Sequence, residues 1–250
     1  KYMNIGGGIN YSFDDRYVGE FGFSASGSDN YKPGNKWGFY PAFSLAWVIS
    51  NERFLRDSKV LNFLKLRISA GKSGWDPMGT RRYLYQTYYH SGGGLYVGND
   101  APVWKNGLGL LYEPNNEIFA EKSLKYNVGL DVRLFRNLDF TLDAFLDKRT
   151  GIVTQDYMMV STYGIEPPYR NIGKVTNKAK LVYCNNICKF NYYLTGLVTY
   201  NSNKIDYMSE VITSAAAART GKSISSLFGY VADGFYDISD FDSHGNLKDG

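Results

Sequence analysis

The sequence lacks any hydrophobic run that approaches the roughly 18 consecutive apolar residues of a membrane-spanning helix. Its net charge is only +4, and no cluster of Lys and Arg interleaves with aromatic residues as a groove for single-stranded nucleic acid requires. Only two cysteines are present, which says little about the redox compartment. The absences therefore exclude a helical membrane protein and a nucleic-acid partner.

Histidine is also scarce, and this bears on catalysis. His90 and His244 are the two histidines, and both lie in expected loops without a serine or cysteine nucleophile nearby. A catalytic triad is not expected, and we predict that the chain is not an enzyme.

The residues that are present favour a folded chain. Hydrophobic residues make up 44% of the sequence, aromatic residues 16% and charged residues 21%, a composition that excludes a disordered tail. The sequence begins at Lys1 without a start methionine and ends in an expected loop at Gly250. We therefore expect a piece of a longer mature chain.

Alternation of apolar and polar residues with a period of two dominates the sequence, which indicates β-strands. Between residues 122 and 134, for example, Leu124, Val128 and Leu130 share one face while Asn127 and Asp131 share the other. The alternation predicts strands near residues 2 to 13, 16 to 27, 37 to 50, 61 to 73, 122 to 134, 137 to 149, 174 to 184 and 187 to 201. Most are near or above the roughly 9 to 11 residues that cross a bilayer as a tilted strand.

The links between these strands alternate in length, as in outer-membrane barrels with short periplasmic turns and long outer loops. Short links are expected at 14–15, 135–136 and 185–186, and a short helical turn at 51–60. We predict an all-β fold, namely an antiparallel transmembrane β-barrel segment over residues 1–250. Its long extracellular loops lie near 74–121, 150–173 and 202–250.

Two other folds fit the alternation less well. A complete eight-stranded barrel would be an adhesin or structural protein, but its narrow interior would need bulkier luminal side chains. A soluble sugar-binding β-sandwich would bury the apolar faces. Aromatic residues near strand ends favour the membrane, because their rings fit the headgroup layer; they are Tyr11, Phe13, Tyr17, Phe39, Trp47, Tyr126, Tyr183 and Tyr200.

The strand near 137–149 places three carboxylates on its luminal face: Asp139, Asp143 and Asp147. They could resemble the acid pair of a glycosidase. We expect them instead to pair with charged residues of the preceding strand or to line a hydrated channel, because like charges at this spacing are disfavoured without Lys or Arg opposite.

Aromatic residues are also frequent in the long loop near 74–121. Trp75, Tyr88, Tyr89 and Trp104 are the candidate ligand-binding residues, since exposed rings can stack on sugars or pack on a lid protein. Alternatively, the loop folds on its own aromatics, or residues 81–90 form a hairpin that extends the wall.

Two further patterns bear on metals and disulfides. An Asn185–Asn186 turn would direct the thiols of Cys184 and Cys188 to opposite faces, with Tyr183 on the lipid face, so we expect no disulfide. The C-terminal segment has a partial calcium-loop pattern at Asp240, Asp242, Gly245 and Asn246. We expect a solvated acidic loop there and no cofactor.

Several sequence blocks follow one another in a recognisable order. The first is NYSFDDRYVGEFGFSASGSDNY, which continues through KWGFYPAFSLAWVISNERFL to LKLRISAGKSG, and later blocks include EKSLKYNVGLDVRLF and NIGKVTNKAKLVY. Their motif residues are Asp15, Arg16 and Tyr17; Pro41, Ser44 and Trp47; Glu52 and Phe54; and Leu64, Lys65, Arg67, Ser69 and Gly71. In these blocks and motifs the chain resembles the barrel of SusC/RagA-type TonB-dependent outer-membrane transporters. Local departures occur in SASGSDNYKPGNKWG and NKAKLVYC.

This resemblance implies a specific transport system in the outer membrane of a Gram-negative bacterium. The family has a barrel of about 22 strands, with a plug domain and a TonB-binding segment that would lie outside these residues. It implies a SusD-like surface lipoprotein as a lid, TonB as the energy source, and an oligosaccharide, in preference to a peptide, as the ligand. The chain would form barrel wall and loops in contact with outer-membrane lipid.

Overall fold

A computed structural model describes residues 1–76, 82–99, 101–158, 164–187, 193–212 and 214–229. The side chain of Cys184, residue Cys188 and the calcium-like segment from Asp240 to Asn246 lie outside what is described. The strands are β1 (Tyr2–Phe13), β2 (Tyr17–Ser28), β3 (Trp37–Val48), β4 (Leu61–Trp75), β5 (Tyr88–Val97), β6 (Val103–Tyr112), β7 (Glu121–Leu134), β8 (Leu138–Gln155), β9 (Tyr169–Ile187) and β10 (Tyr193–Tyr207).

The strands form an eight-stranded antiparallel sheet in the order β1-β2-β3-β4-β7-β8-β9-β10. Strands β5 and β6 form a separate two-stranded hairpin within the link between β4 and β7. A short 3-10 helix, Ile49–Asn51, follows β3 and overlaps the expected helical turn at 51–60 only at Asn51. In the described part of the chain, no helix has the length and apolar character needed to span a membrane.

The register places apolar and polar residues on opposite faces across the whole sheet. One row of paired residues runs Leu66, Leu130, Leu142, Val182 and Val198 from β4 to β10. We call the face that carries this row the outer face and the opposite one, which carries the charged residues, the inner face. Side chains alternate between the two faces along a strand, so the pairing of one residue determines the face on which every other residue of that strand lies.

The two ends of the sheet also differ. The turn end carries the links 14–16, 49–60 and 135–137, and the loop end carries the links 29–36, 76–120 and 156–168. Asp14 and Asp15 have φ values of 52° and 50°, and Phe135 and Arg136 have 52° and 63°. These left-handed conformations match the primed turns that suit twisted antiparallel strands.

Burial of the two faces is inverted relative to a soluble sheet. On the outer face Val128 is 52% exposed, Phe43 57% and Leu45 59%, whereas Asp147 on the inner face is only 7% exposed. No second layer covers the outer face in the described residues, so the β-sandwich alternative is wrong. Strands β1 and β10 are the two edges and do not pair with each other, so the described strands do not close into a small barrel.

These features confirm the predicted all-β fold and its assignment as a section of barrel wall. A barrel has no edge strands, so the edges at β1 and β10 are the points at which neighbouring wall would pair. Most of the aromatic residues expected at the membrane interfaces lie on the outer face; for example, Tyr11 is 65% exposed and Phe39 55%.

The expected turn at Asn185–Asn186 is wrong. The ladder continues through it, with Asn185 opposite Thr195 and Ile187 opposite Tyr193. On the other side β8 begins at Leu138, which pairs with Asn186, so the neighbouring strand keeps this part of β9 extended. Tyr183 is consequently opposite Thr141 and lies on the inner face, not on the expected lipid face.

Candidate functional site

The inner face carries a group of ion pairs centred on Arg67 of β4. The Arg67 guanidinium donates to both carboxylate oxygens of Asp131 at 2.8 and 3.1 Å and to those of Asp143 at 3.3 Å. Asp143 lies two strands away, and Gly129 of β7 lies between. A Cβ at Gly129 would come within 2.6 Å of Asp143 Oδ1 and 2.7 Å of the Arg67 Nη2 atom, so the absence of a side chain there allows the contact.

The other two carboxylates of β8 are also paired. Asp139 accepts from Arg133 Nε at 2.6 Å, and Asp147 accepts from Ser123 and from Arg149 Nε at 3.2 Å. The expected pairing with charged residues of the preceding strand is therefore correct for Asp139 only, because Arg67 comes from β4 and Arg149 from β8 itself. The contacts make the inner face a neutralised polar surface and do not create an acid pair for catalysis.

A concave cavity of about 520 Å³ lies on this inner face and extends from β2 to β8. Its polar lining includes Glu20, Ser44, Ser69, Asn127 and Asp147. Because residues of non-adjacent strands converge on one cavity, the sheet curves with its inner face concave. Such a surface can hold water or a polar solute and can contact a domain that fills the barrel.

The turn end is held together by Arg16, Tyr17, Trp47 and Glu52, which we call the turn-end clamp. Glu52 accepts hydrogen bonds from Arg16 Nη1 at 3.0 Å, from the Tyr17 hydroxyl at 2.6 Å and from Trp47 Nε1 at 3.1 Å. The rings of Tyr17 and Trp47 stack with centroids 6.4 Å apart. All of these residues belong to the family-like motifs, and their contacts join the first turn to the link that follows β3.

The contacts of the turn-end clamp stabilise the charged form of Glu52. Hydrogen bonds from Tyr17, Trp47 and Arg16, with the positive charge of Arg16, lower the pKa of Glu52 against the opposing effect of desolvation. The carboxylate is therefore the charged centre of the clamp.

At the loop end, side chains from separate links pack into a small hydrophobic core, which we call the loop-end core. Its buried members are Tyr31, Leu84, Tyr112 and Ile118. The rings of Tyr88 and Tyr169 pack on Tyr112 with centroid distances of 5.5 and 5.8 Å. The alternative in which the long loop folds on its own aromatics is thus correct for Tyr88.

Asp76 fixes the loop-end core to the end of β4. It accepts hydrogen bonds from Ser28, from Asn30 Nδ2 at 3.1 Å and from the Tyr31 hydroxyl at 2.8 Å. Burial and the hydrogen bond to Asp76 raise the pKa of Tyr31 far above its ordinary value. The Tyr31 hydroxyl therefore stays a hydrogen-bond donor at physiological pH.

The four candidate ligand-binding aromatics do not form one site. Trp75 is the last residue of β4 and is 64% exposed, and Tyr89 on the hairpin is 66% exposed. Tyr88 packs on the loop-end core, whereas Trp104 contacts Tyr96 in an edge-on arrangement with centroids 5.1 Å apart. The hairpin occupies residues 88–112 and not the expected 81–90. The Tyr96–Trp104 pair is its most defined aromatic surface.

A second candidate site at the loop end is a cleft of about 450 Å³, which sequence patterns did not predict. Glu113, Asn115, Glu117, Phe119 and Arg170 line it. Asn115 Nδ2 donates to the backbone oxygen of residue 169 at 2.9 Å, so its orientation is fixed. The cleft thus presents carboxylates, a guanidinium and an aromatic ring at one place. In the described residues no group of three or more His, Cys, Asp or Glu is arranged to hold a metal.

No protein-family model matches the chain. Its sequence is, however, similar to those of several curated proteins. It is 27% identical over 263 residues to TonB-dependent receptor P3 of Formosa agariphila, covering 96% of this chain and 25% of that protein. It is 27% identical over 255 residues to TonB-dependent receptor SusC of Bacteroides thetaiotaomicron, covering 92% of this chain and 24% of that protein. The chain therefore spans about a quarter of the length of these relatives.

Solved structures share the fold. The RagAB peptide importer in its closed-closed state superposes with a TM-score of 0.74 at 20% identity, covering 99% of this chain and 28% of the importer chain. The RagAB peptide transporter gives a TM-score of 0.71, also at 20% identity, with 88% and 25% covered. The predicted resemblance is confirmed in sequence and in fold: the chain matches part of the β-barrel of SusC/RagA-type TonB-dependent receptors.

Proposed function

We propose that the chain forms the wall and extracellular loops of an outer-membrane transporter that imports oligosaccharides with energy delivered by TonB. The observation that carries the proposal is the single sheet with an exposed apolar outer face and an ion-paired inner face. The similarity to TonB-dependent receptors over 96% of the chain agrees with it. In this arrangement the loop end is extracellular and the turn end periplasmic. No covalent chemistry is proposed.

Two loop-end features support an oligosaccharide ligand. The exposed Tyr96–Trp104 pair offers ring faces that can stack on sugars, and Trp75 and Tyr89 offer further exposed rings. Beside the loop-end core, carboxylate, amide and guanidinium groups in the 450 Å³ cleft can bond to sugar hydroxyls.

A peptide is the second candidate ligand. It is favoured by the fold match to RagAB, which is named as a peptide importer. The cleft also suits a peptide, because Glu113 and Glu117 could pair with an amino group. Arg170 already pairs with Asp156 at 3.2 Å, and its remaining N–H groups could donate to a ligand carboxylate.

The partners follow from the same orientation. A SusD-like surface lipoprotein would cover the loop end, where the hairpin exposes the apolar side chains of Leu95, Val103 and Leu108 at 63%, 55% and 80%. TonB would act through a plug region outside this chain. Outer-membrane lipid would surround the outer face.

The ligand proposal is tested on the full-length transporter with its lid in cells. The change is Tyr96→Ala with Trp104→Ala, and the control is Tyr200→Ala, an exposed aromatic on the outer face. Each lost ring interaction is worth about 0.5–1.5 kcal/mol, so the double variant should weaken oligosaccharide binding roughly 5- to 150-fold.

The measurement is uptake of a labelled oligosaccharide and a labelled peptide, with the amount of barrel in the outer membrane determined in parallel. We expect oligosaccharide uptake to require TonB and to fall in the double variant only. If peptide uptake falls instead, the peptide is the ligand. If neither uptake changes, the hairpin aromatics do not bind the ligand.

A further inference from the structure

The outer face is not apolar over its whole height, because lysines occupy it on the loop-end side of the row that runs from Leu66 to Val198. Lys72 of β4, Lys148 of β8, Lys178 and Lys180 of β9 and Lys204 of β10 all share this face by register. We call these residues the lysine belt. Lys72 and Lys148 are both paired with Leu124, and Lys148 and Lys204 are both paired with Thr176, so three of them lie along one row.

The lysine belt borders the apolar surface directly. Lys72 is two residues beyond Ala70, Lys148 is two residues beyond Leu146, and Lys180 is two residues before Val182 on the same face. A two-residue step along a strand is about 6.6 Å, and a lysine side chain can extend its ammonium group further toward the polar layer. The ammonium groups can therefore reach the height of the lipid headgroups.

The described residues do not balance the charge of the lysine belt. No carboxylate of the described residues lies within ion-pair distance of any of the five ammonium groups. Asp206 is the single acidic residue on the outer face among the described strands, and it accepts a hydrogen bond from Thr176. On the inner face, by contrast, Arg67 and Arg133 are paired with carboxylates.

We propose that the lysine belt binds the phosphate groups of anionic lipid headgroups in the outer leaflet. An unbalanced row of ammonium groups at the border of an apolar wall complements a layer of phosphates above acyl chains. This inference rests on the proposed membrane position of the chain. The contact anchors the wall at a defined height and orients it in the bilayer.

The test uses the purified full-length transporter in neutral detergent micelles, with fluorescent phosphatidylglycerol as the probe. The belt variant combines Lys148→Gln, Lys178→Gln and Lys180→Gln. The control variant combines Lys32→Gln, Lys59→Gln and Lys222→Gln, which removes the same charge from exposed positions outside the belt. Each lysine near an anionic surface contributes about fivefold to binding, so the belt variant should bind about 100-fold more weakly at low salt.

We expect the control variant to bind phosphatidylglycerol within about twofold of wild type, and the difference between the variants to shrink as salt rises. Fluorescent phosphatidylcholine should bind equally weakly to all three proteins, and inorganic phosphate at the lipid concentration should not compete. Equal phosphatidylglycerol binding by both variants would overturn the proposal. Full competition by inorganic phosphate would also overturn it, because the site would then be one for free phosphate.

The membrane position itself is checked separately by the heat-modifiability of the same samples on gels. If the barrel is heat-modifiable and the belt variant still binds the lipid normally, only the lysine-belt proposal is wrong. If a lysine-dependent acidic protein copurifies and lipid binding is unchanged, the belt is a protein-binding surface and the lipid proposal is wrong.

Discussion

Replacing Leu142 by Arg distinguishes a lipid-facing wall from a sheet in water. Leu142 lies in the apolar row that runs from Leu66 to Val198 on the outer face, is 41% exposed, and is opposite Leu130 and Val182 on the neighbouring strands. In water, a substitution at such an exposed position changes stability by about 0.5 kcal/mol or less. At the middle of a bilayer, Arg on the lipid face of a barrel costs about 2–4 kcal/mol.

The assay is the fraction of full-length transporter that migrates as a heat-modifiable barrel after outer-membrane extraction. The matched control is Thr141→Arg, since Thr141 is the adjacent residue on the inner face. A cost of 2–4 kcal/mol corresponds to a change of roughly 30- to 900-fold in the ratio of folded to unfolded protein. We expect this loss for Leu142→Arg alone. Equal folding of the two variants would refute the assignment of the outer face to lipid.

Two further predictions concern the charged clusters. Contacts in the turn-end clamp lower the pKa of Glu52 from the ordinary value of 4.5. The stability that ionised Glu52 contributes is therefore complete above about pH 4.5 and is lost as the pH falls below that value. The difference in thermal midpoint between wild type and Glu52→Gln should shrink as the pH falls, and a difference that stays constant would contradict the prediction. Arg67→Ala should destabilise the barrel by about 1.5–3 kcal/mol, because it leaves Asp131 and Asp143, whose side chains are only 26% and 19% exposed, without their partner. The control Arg133→Ala removes the pair with Asp139, whose two side chains are 53% and 31% exposed, and should cost about 0–1 kcal/mol. Chemical unfolding measures both costs, and similar values for the two variants would count against the Arg67 prediction.

The wall of the barrel could be predicted from the sequence because each strand carries its own periodic signal. Alternation located seven of the eight strands of the main sheet and assigned residues such as Leu130 and Asp131 to opposite faces, but it placed the last strand six residues too early, at 187–201 instead of Tyr193–Tyr207. It failed at Asn185 and Asn186, where the residue types favour a turn. Pairing of Asn186 with Leu138 on β8 kept the chain extended, and that contact comes from a residue 48 positions earlier in the sequence.

The candidate sites could be predicted only in part, for a related reason. The carboxylates of β8 were expected to need basic partners, but the partner of Asp143 is Arg67. The contact depends on the missing side chain of Gly129, and no periodic pattern shows that. The loop-end core joins Tyr31 of the 29–36 link to Leu84 and Tyr112 of the 76–120 link. A pattern read along one strand cannot show which links meet.

The two ends of the wall are stabilised by different physical means, and this bears on where specificity can arise. At the turn end, Glu52 and Arg16 hold two links through charge-assisted hydrogen bonds among residues of the family-like motifs. At the loop end, Asn30 and Tyr31 belong to the segment that departs from the family pattern, yet they anchor Asp76 and the loop-end core. The core therefore uses residues of this departing segment to position the hairpin and the cleft. Substituting those residues should change ligand binding while the register of the wall, which depends on strand pairing and the outer apolar face, stays the same.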